Sequence, residues 1–387
     1  MAWRGWVGAV VIAAPAVAAG QDGGERVVDF FQGPVVASGR VLGMGGAFVG
    51  VGEGAEGHLQ NPAAFAVRAA PFVDDWFDWD VTLSTLVVGR DDGIDVEQAG
   101  GPASFDRSQY TQLGFNVKFG EHGFGVHGRG QGYDFTVVRD LLRTPVRYDQ
   151  SFVGLGYGLH LFDGWYVGGL LYGGIAALAV EGAQVAAVTG GGVVLGGLYA
   201  PPGESWRLGA RWRTPVVGRD FEGDEAERGL SVPDAIAVPW ELGVGGSVML
   251  GPRVYNVAPS FGHGEPPARD GARRYLLLAA EVVVTGPAPA GAVGVSAFYG
   301  AAARRSGEEA SVSLRVGGEA EIVEDLLVLR GGSYYEPNRY REYEGRVHLT
   351  GGFDLRLFEL VWEWEAGAVI DWAPEYLNWG VGVGFWY

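Results

Sequence analysis

From about Trp76 to its last residue the chain alternates apolar and polar side chains at period two, and charge sits on the polar face. The stretch SWRLGARWRTPVV puts Arg207, Gly209, Arg211 and Arg213 on one face and Leu208, Ala210 and Trp212 on the other. In SVSLRVGGEAEIV, Arg315, Gly317, Glu319 and Glu321 oppose Leu314, Val316, Gly318, Ala320 and Ile322. FDLRLF sets Asp354 and Arg356 against Phe353, Leu355 and Leu357, and VWEWEAG sets Glu363 and Glu365 against Trp362 and Trp364. Alternation alone also fits a soluble sandwich that buries its apolar face. Charge on the opposite face, with aromatics near segment ends, suits a barrel with lipid outside and a wet lumen.

Fifteen segments carry the pattern: 76–89, 108–120, 123–132, 147–161, 164–179, 183–199, 205–217, 236–250, 273–284, 292–301, 311–322, 326–337, 347–357, 359–370 and 377–387. Single-chain bacterial barrels have an even number of strands. Short turns at GEHG, FDG, PPGE, VED and FE are expected at the periplasmic end, alternating with longer external loops. That alternation holds only if 292–301 belongs to an external loop from about 285 to 310, which leaves fourteen strands and an unusually long periplasmic connection from Gly251 to Ala272. The expected fold is therefore all-β, a transmembrane antiparallel barrel over 76–387.

The chain ends on WGVGVGFWY, in which Trp379, Val381, Val383, Phe385 and Tyr387 share a face opposite Gly380, Gly382, Gly384 and Trp386. An unpaired strand of this kind is an aggregation hazard in water. Pairing with the first strand removes the edge, and lipid covers the apolar face. Alternating apolar residues before a terminal aromatic resemble the C-terminal signal read by the barrel-assembly machinery, which assigns that role to Phe385 and Tyr387.

The N-terminus has a different logic. Arg4, an apolar run from Trp6 to Ala14 and the small residues of APAVAAG read as a secretory signal over 1–20, cut around Ala18 to Gly20. No later apolar run reaches the length of a membrane-spanning helix. The net charge of −18 argues against nucleic acid, and the absence of cysteine excludes disulfides and thiolate metal sites. Export plus a lipid-facing barrel points to a Gram-negative type outer membrane.

Between signal and barrel, residues 40–66 read RVLGMGGAFVGVGEGAEGHLQNPAAFA and show no clean period. Gly43, Gly45 and Gly46 permit positive φ and close backbone approach in a crowded lumen. Asn61 can close an Asx-turn, and Pro62 biases it toward extended backbone. Met44, Phe48 and Phe65 need burial. These features describe a hatch within 21–75 rather than a disordered leader. Here the sequence resembles the long-chain fatty-acid transporter (FadL-like) family of outer-membrane barrels, at Arg40, Gly43-Met44-Gly45-Gly46-Ala47 and Asn61-Pro62-Ala63. It departs from the family at Glu53-Gly54 and at Ala64-Phe65; LRGGSYYEPNRY and HLTGGFDLRLF resemble the family's later strands. The resemblance implies a hatch inside the lumen and diffusive uptake of hydrophobic small molecules such as long-chain fatty acids, with no cofactor. Ligand would leave after the hatch shifts, including sideways through the wall. A different member type, the shuttle barrel of type IX secretion, handles protein cargo and stands as the alternative.

Other motifs carry little. Gly52 to Gly57 matches G-x-G-x-x-G formally but lacks a strand-helix-strand setting. The six histidines never form a metal-ligand spacing, and no G-x-S-x-G nucleophile elbow occurs, so no enzyme is expected. VDDWFDWD, RDDGID and DFEGDEAER read as solvated acidic loops without the spacing of a calcium loop. The lumen arginines and carboxylates form ion-pair ladders for the most part. A minority can hold a substrate carboxylate through paired guanidinium hydrogen bonds, and the candidates are Arg207, Arg211, Arg315 and Arg356.

Overall fold

In the computed structural model, residues 27–30, 33–68, 76–94, 105–139, 142–219, 222–223, 234–257, 274–294, 304–360 and 362–385 are described. The signal segment, Tyr387 and the side chain of Phe385 lie outside this set. Fourteen strands form the wall: β2 (Phe77–Ile94), β3 (Phe105–Phe119), β4 (His122–Arg139), β5 (Leu142–Phe162), β6 (Trp165–Val180), β7 (Ala183–Tyr199), β8 (Trp206–Arg213), β12 (Glu241–Leu250), β13 (Leu276–Thr285), β14 (Ser311–Val323), β15 (Leu327–Glu336), β16 (Arg346–Leu360), β17 (Trp362–Ala373) and β18 (Tyr376–Phe385). Each pairs antiparallel with its neighbour. The ring closes where β18 meets β2, from Asn378↔Val88 to Gly384↔Thr82. The terminal strand has no free edge there.

The faces are inverted relative to a soluble protein. Leu314 is 57% exposed and Val381 48%, whereas Glu319 is 1% and Asp371 0% exposed. Trp379, Val381 and Val383 point outward with them, as do Leu155, Leu171 and Leu349. Such a surface is stable only against lipid, and the buried polar set belongs to the lumen.

Residues 292–301 contribute no wall strand among the described residues; Val293 makes only isolated bridges to Val28 and Arg305. Connections at Gly120-Glu121, Asp163-Gly164, 200–205 and 324–326 lie at the end where β2 begins and β18 finishes, called the base below. The expectation that short turns mark this end alone is corrected. Glu181-Gly182 and Pro374-Glu375 are two-residue turns at the far rim. Positive φ at Glu181 (50°), Gly182 (81°) and Glu375 (56°) lets these hairpins turn tightly.

Two expected strands are cut by proline. The segment 205–217 leaves the wall after Arg213, and Pro215 precedes a short strand β9 (Val216–Arg219). The segment 236–250 divides at Pro239 into β11 (Ala235–Val238) and β12. Proline cannot donate to a ladder, so each ends one sheet and lets the chain join another. The strands β1 (Val27–Asp29), β11 and β9 build a small sheet across the far end, β1 parallel to β11. β10 (Glu222–Gly223) adds to the top of β7. β4 and β5 run past their expected ends, because Tyr133, Val146 and Tyr148 pack around Phe30 under that sheet.

From Phe30 the chain descends through the lumen to the base. It forms α1 (Gly39–Gly43), then single 3-10 turns at Ala55–Gly57 and Pro62–Phe65. Ser38 caps α1 by accepting from Val41 N, and Asn61 caps the last turn by accepting from Ala63 N at 3.1 Å. The wall makes room for this segment with glycine. A Cβ at Gly209 would lie 2.0 Å from Val49 O, at Gly317 2.1 Å from Met44 O, at Gly168 2.2 Å from Pro62 O, and at Gly156 1.9 Å from the Phe65 ring. Part of the unusual glycine content, 67 residues, thus serves inward-facing positions where the hatch presses against the strands.

Candidate functional site

On either side of the hatch the lumen holds a cavity, and the two differ in their lining residues. Toward the far rim lies a space of about 1010 Å³. Its apolar side is Phe152, Leu170, Tyr172 and Val194, with Leu59 and Val238 packed against them, and Val35 also lines it. Arg129, Arg211, Arg213 and Arg315 converge on it, with Glu241. Glu241 lies 3.3 Å from Arg213 and 3.6 Å from Arg211, and Glu281 lies 3.9 Å from Arg211 and 3.8 Å from Arg315. Four guanidiniums therefore share two carboxylates, an excess of positive charge inside a strongly acidic protein. Arg129 spends its charge on the Phe152 ring, 4.6 Å from the centroid. The Nε groups of Arg211, Arg213 and Arg315 are buried without a hydrogen-bond acceptor. An acid group beside an apolar body would satisfy both halves of this cavity.

Toward the base lies a second space of about 780 Å³, walled by charge. Glu53, Glu56, Asp80, Glu319, Glu321 and Glu365 face Arg40, Lys118, Arg253 and Arg330. Arg40 is the centre of its bonding. It donates from Nε and Nη2 to Glu319 and from Nη2 to Glu53, all at 2.8 Å. Glu53 also accepts from Arg207 at 2.8 Å. Burial alone would push the Glu53 carboxyl up, but Arg207 and Arg40 outweigh it and hold it at about 2. Glu56 has no such partner: burial first, then Asp354, raise it to about 7 against Arg330 and Arg40. Breaking one partner out of a buried pair strands a charge, so the Arg40–Glu53–Arg207 chain is a strong tie between hatch and wall.

Among the hatch positions singled out in the sequence, Gly45 (φ 63°) and Gly46 (φ 76°) take left-handed backbone. Gly45 presses on β14 and β15, since a Cβ there would lie 2.6 Å from Val316 O and 2.8 Å from Ser333 N. Gly43 ends α1, and its carbonyl accepts from Thr350. Asn61 donates from Nδ2 to Val49 O at 2.8 Å and to Gly197 O at 2.9 Å, so one side chain ties two separate stretches of the hatch to each other and to β7. Pro62 and Ala63 start the turn it caps.

The four candidate arginines separate. Arg211 and Arg315 line the upper cavity. Arg207 does not: it is locked by Glu53, Asn256, Val51 O and Tyr255 O. Arg356 sits at the base, 3.6 Å from Asp325 in the β14–β15 turn. Sequence reasoning passed over Arg129, His127 and Glu281 as site residues. Arg129 and His127 share the parity of Gly123 and Gly125, which lie under the hatch. Glu281 is the one charge in the otherwise apolar β13, and a lone buried charge in a spanning segment is a functional signal. Among the described residues no three histidines or carboxylates are grouped to hold a metal ion.

No protein-family model and no curated protein matches the sequence. Solved structures do match its fold. A FadL homologue from Pseudomonas aeruginosa superposes with a TM-score of 0.57 at 11% identity, covering 92% of this chain and 99% of that chain. The toluene transporter TbuX of Ralstonia pickettii gives 0.54 at 13% identity, covering 90% and 98%. The toluene transporter TodX of P. putida gives 0.55 at 11% identity, covering 90% and 98%. The chain thus shares, over nearly its whole length, the barrel fold of these proteins.

Proposed function

We propose that this protein is an outer-membrane channel for diffusive uptake of hydrophobic small molecules, and that its ligands carry an acid group, as long-chain fatty acids do. The observation that carries the reading is the upper cavity, where an apolar wall meets guanidiniums in excess of their carboxylates. The solved barrels of like fold include transporters of toluene, a neutral molecule, which supports a hydrophobic cargo in general. The arginine excess is what favours an anionic head group over a neutral ring.

Such a ligand would enter from the far rim, rest above the hatch, and leave as the hatch shifts. The charged lower cavity is a poor path for an alkyl chain. In support of a sideways exit, the β7–β8 ladder stops at Val194↔Arg213, beside the cavity. Above it β9 turns inward to β11, so residues 188–192 of β7 have no ladder partner on that side among the described residues. No residue is assigned a catalytic role, and Phe385 with Tyr387 serves insertion by the assembly machinery.

The test is radiolabelled oleate uptake by cells expressing the wild type or the double variant Arg211→Gln/Arg315→Gln. The wild type should exceed empty cells, and the double variant should lose most of that excess while a neutral cargo such as toluene still passes. Wild-type uptake equal to that of empty cells rejects the reading and favours the protein-shuttle alternative.

A further inference from the structure

Glu281 touches both the hatch and the guanidiniums of the upper cavity. Its Oε2 accepts from the backbone N–H of Phe48 and of Val49, each at 3.0 Å. Its Oε1 accepts no hydrogen bond and is held only by Arg211 at 3.9 Å and Arg315 at 3.8 Å. The side chain is fully buried. The same two arginines reach the hatch directly, Arg211 donating to Leu59 O at 3.1 Å and Arg315 to Gly46 O at 3.5 Å. Gly243 leaves the space for this junction: a Cβ there would lie 3.1 Å from Glu281 Oε1 and 3.5 Å from Arg211 Nε.

We infer that Glu281 is a positioning residue that couples occupancy of the upper cavity to release of the hatch at Phe48 and Val49. The inference rests on the reading that the cavity takes an acid group. A ligand carboxylate is a better partner for Arg211 and Arg315 than Glu281, which lies beyond hydrogen-bond distance of both. As the guanidiniums turn to the ligand, they leave their contacts with Leu59 O and Gly46 O. Glu281 is then left as a buried anion with its counter-charges withdrawn, a costly state that favours rearrangement of the 46–49 segment it grips. Coupling between two sites is reciprocal, so whatever loosens the hatch at Glu281 must also tighten binding of the ligand.

Palmitate is the probe, with the full-length protein in lipid nanodiscs. Two quantities are read: palmitate affinity, and hydrogen exchange at the amides of Phe48 and Val49. In the wild type, palmitate should speed exchange at both amides. Glu281→Gln keeps the shape but removes the charge. It should exchange fast without palmitate, gain little when palmitate is added, and bind palmitate about 5-fold tighter or more, the lower end of typical couplings. Glu281→Asp, which keeps the charge on a shorter arm, should return affinity to the wild-type value; it also serves, with the wild type, if the glutamine variant does not fold. Fast exchange in the glutamine variant with unchanged affinity overturns the coupling. So does palmitate binding to the wild type without any change at Phe48 and Val49, which leaves the uptake reading standing. Failure of the wild type to bind palmitate removes the uptake reading and the coupling together.

Discussion

At the scale of single residues, the hatch carries two titratable groups whose proton linkages oppose each other. Glu56 is raised from near 4.5 to about 7. Between those values the docked hatch holds a proton that a released one gives up, so docking weakens as pH rises from about 4.5 to about 7. His58 acts the other way. Burial, then His127 and Lys118, push it well below its usual 6.5, and neither ring nitrogen finds a partner. Its contribution is complete above 6.5 and is lost as pH falls below that value. The groups facing Glu56 are Asp354, Arg330, Arg40 and Glu365; those facing His58 are His127 and Lys118, the latter paired with Asp78 and Asp80. From pH 4.5 to 6.5 the two slopes partly cancel in the wild type. Glu56→Gln should therefore expose a channel that leaks more as pH drops toward 5. His58→Phe, which keeps the stack on Phe65 now at 3.9 Å, should leak more as pH rises toward 7. Conductance of the reconstituted protein across that range checks both, and identical profiles for the two variants would contradict the assignment. Glu53 does not interfere, because its contribution is lost only on acidification from 4.5 toward 2.

At the scale of elements, the hatch is held by backbone proximity as much as by charge, and the wall glycines are where this can be tested. A Cβ at Gly209 would meet the Val49 carbonyl at 2.0 Å, and neither backbone can yield without moving the hatch. Gly209→Ala should insert and close as a barrel yet conduct small hydrophilic ions more than the wild type. Gly331→Ala, on β15 with open space around it, is the control and should behave as the wild type. Asn61→Ala removes the donors to Val49 O and Gly197 O and the acceptor for Ala63 N. A lost cap alone costs about 1 kcal/mol, which shifts a hatch equilibrium several-fold without unfolding the wall. Oleate transfer and resting conductance in Asn61→Ala should both change while heat-modifiable migration does not.

The same scale shows what the sequence could and could not tell. Period two identified every wall strand, because lipid outside and water inside impose the alternation on each one. The ends of β8 and β12 were misjudged although Pro215 and Pro239 stood in plain view; alternation continued across them only because β9 and β11 are strands too, of a different sheet. Arg211 and Arg315 were legible as lumen cations by parity. That Arg207 is tied up by Glu53 and Arg356 stranded at the base depends on register across the barrel, which no local pattern contains. Glu281 carried a signal of its own, a lone acid in LLLAAEVVVT, but its partners at Phe48 and Val49 are more than 200 positions away in the chain.

At the scale of the whole molecule, barrel and hatch divide the work of stability. The wall closes on itself through β18 and β2, so its ladder needs nothing from the lumen. The hatch contributes its burial of Leu42, Met44, Phe48 and Phe65, which pack on wall side chains such as Leu86, Leu277 and Leu170. Deleting residues 40–66 should thus leave a protein that inserts, resists detergent at room temperature and shifts in migration only after boiling. It should also open a continuous path between the upper and lower cavities, each of which already carries charged side chains, and so pass hydrophilic solutes that the wild type excludes. The deletion removes Arg40 and Glu53 together, which leaves Glu319 with Arg330 and Arg207 with Asn256 rather than bare in the lumen. Arg40→Ala alone is the more damaging change, because Glu53 and Glu319 remain buried with one counter-charge fewer each. Liposome swelling with a neutral sugar, compared for the deletion, Arg40→Ala and the wild type, separates the cases. If the deleted protein folds and swelling stays at the wild-type rate, the segment is not what closes the lumen.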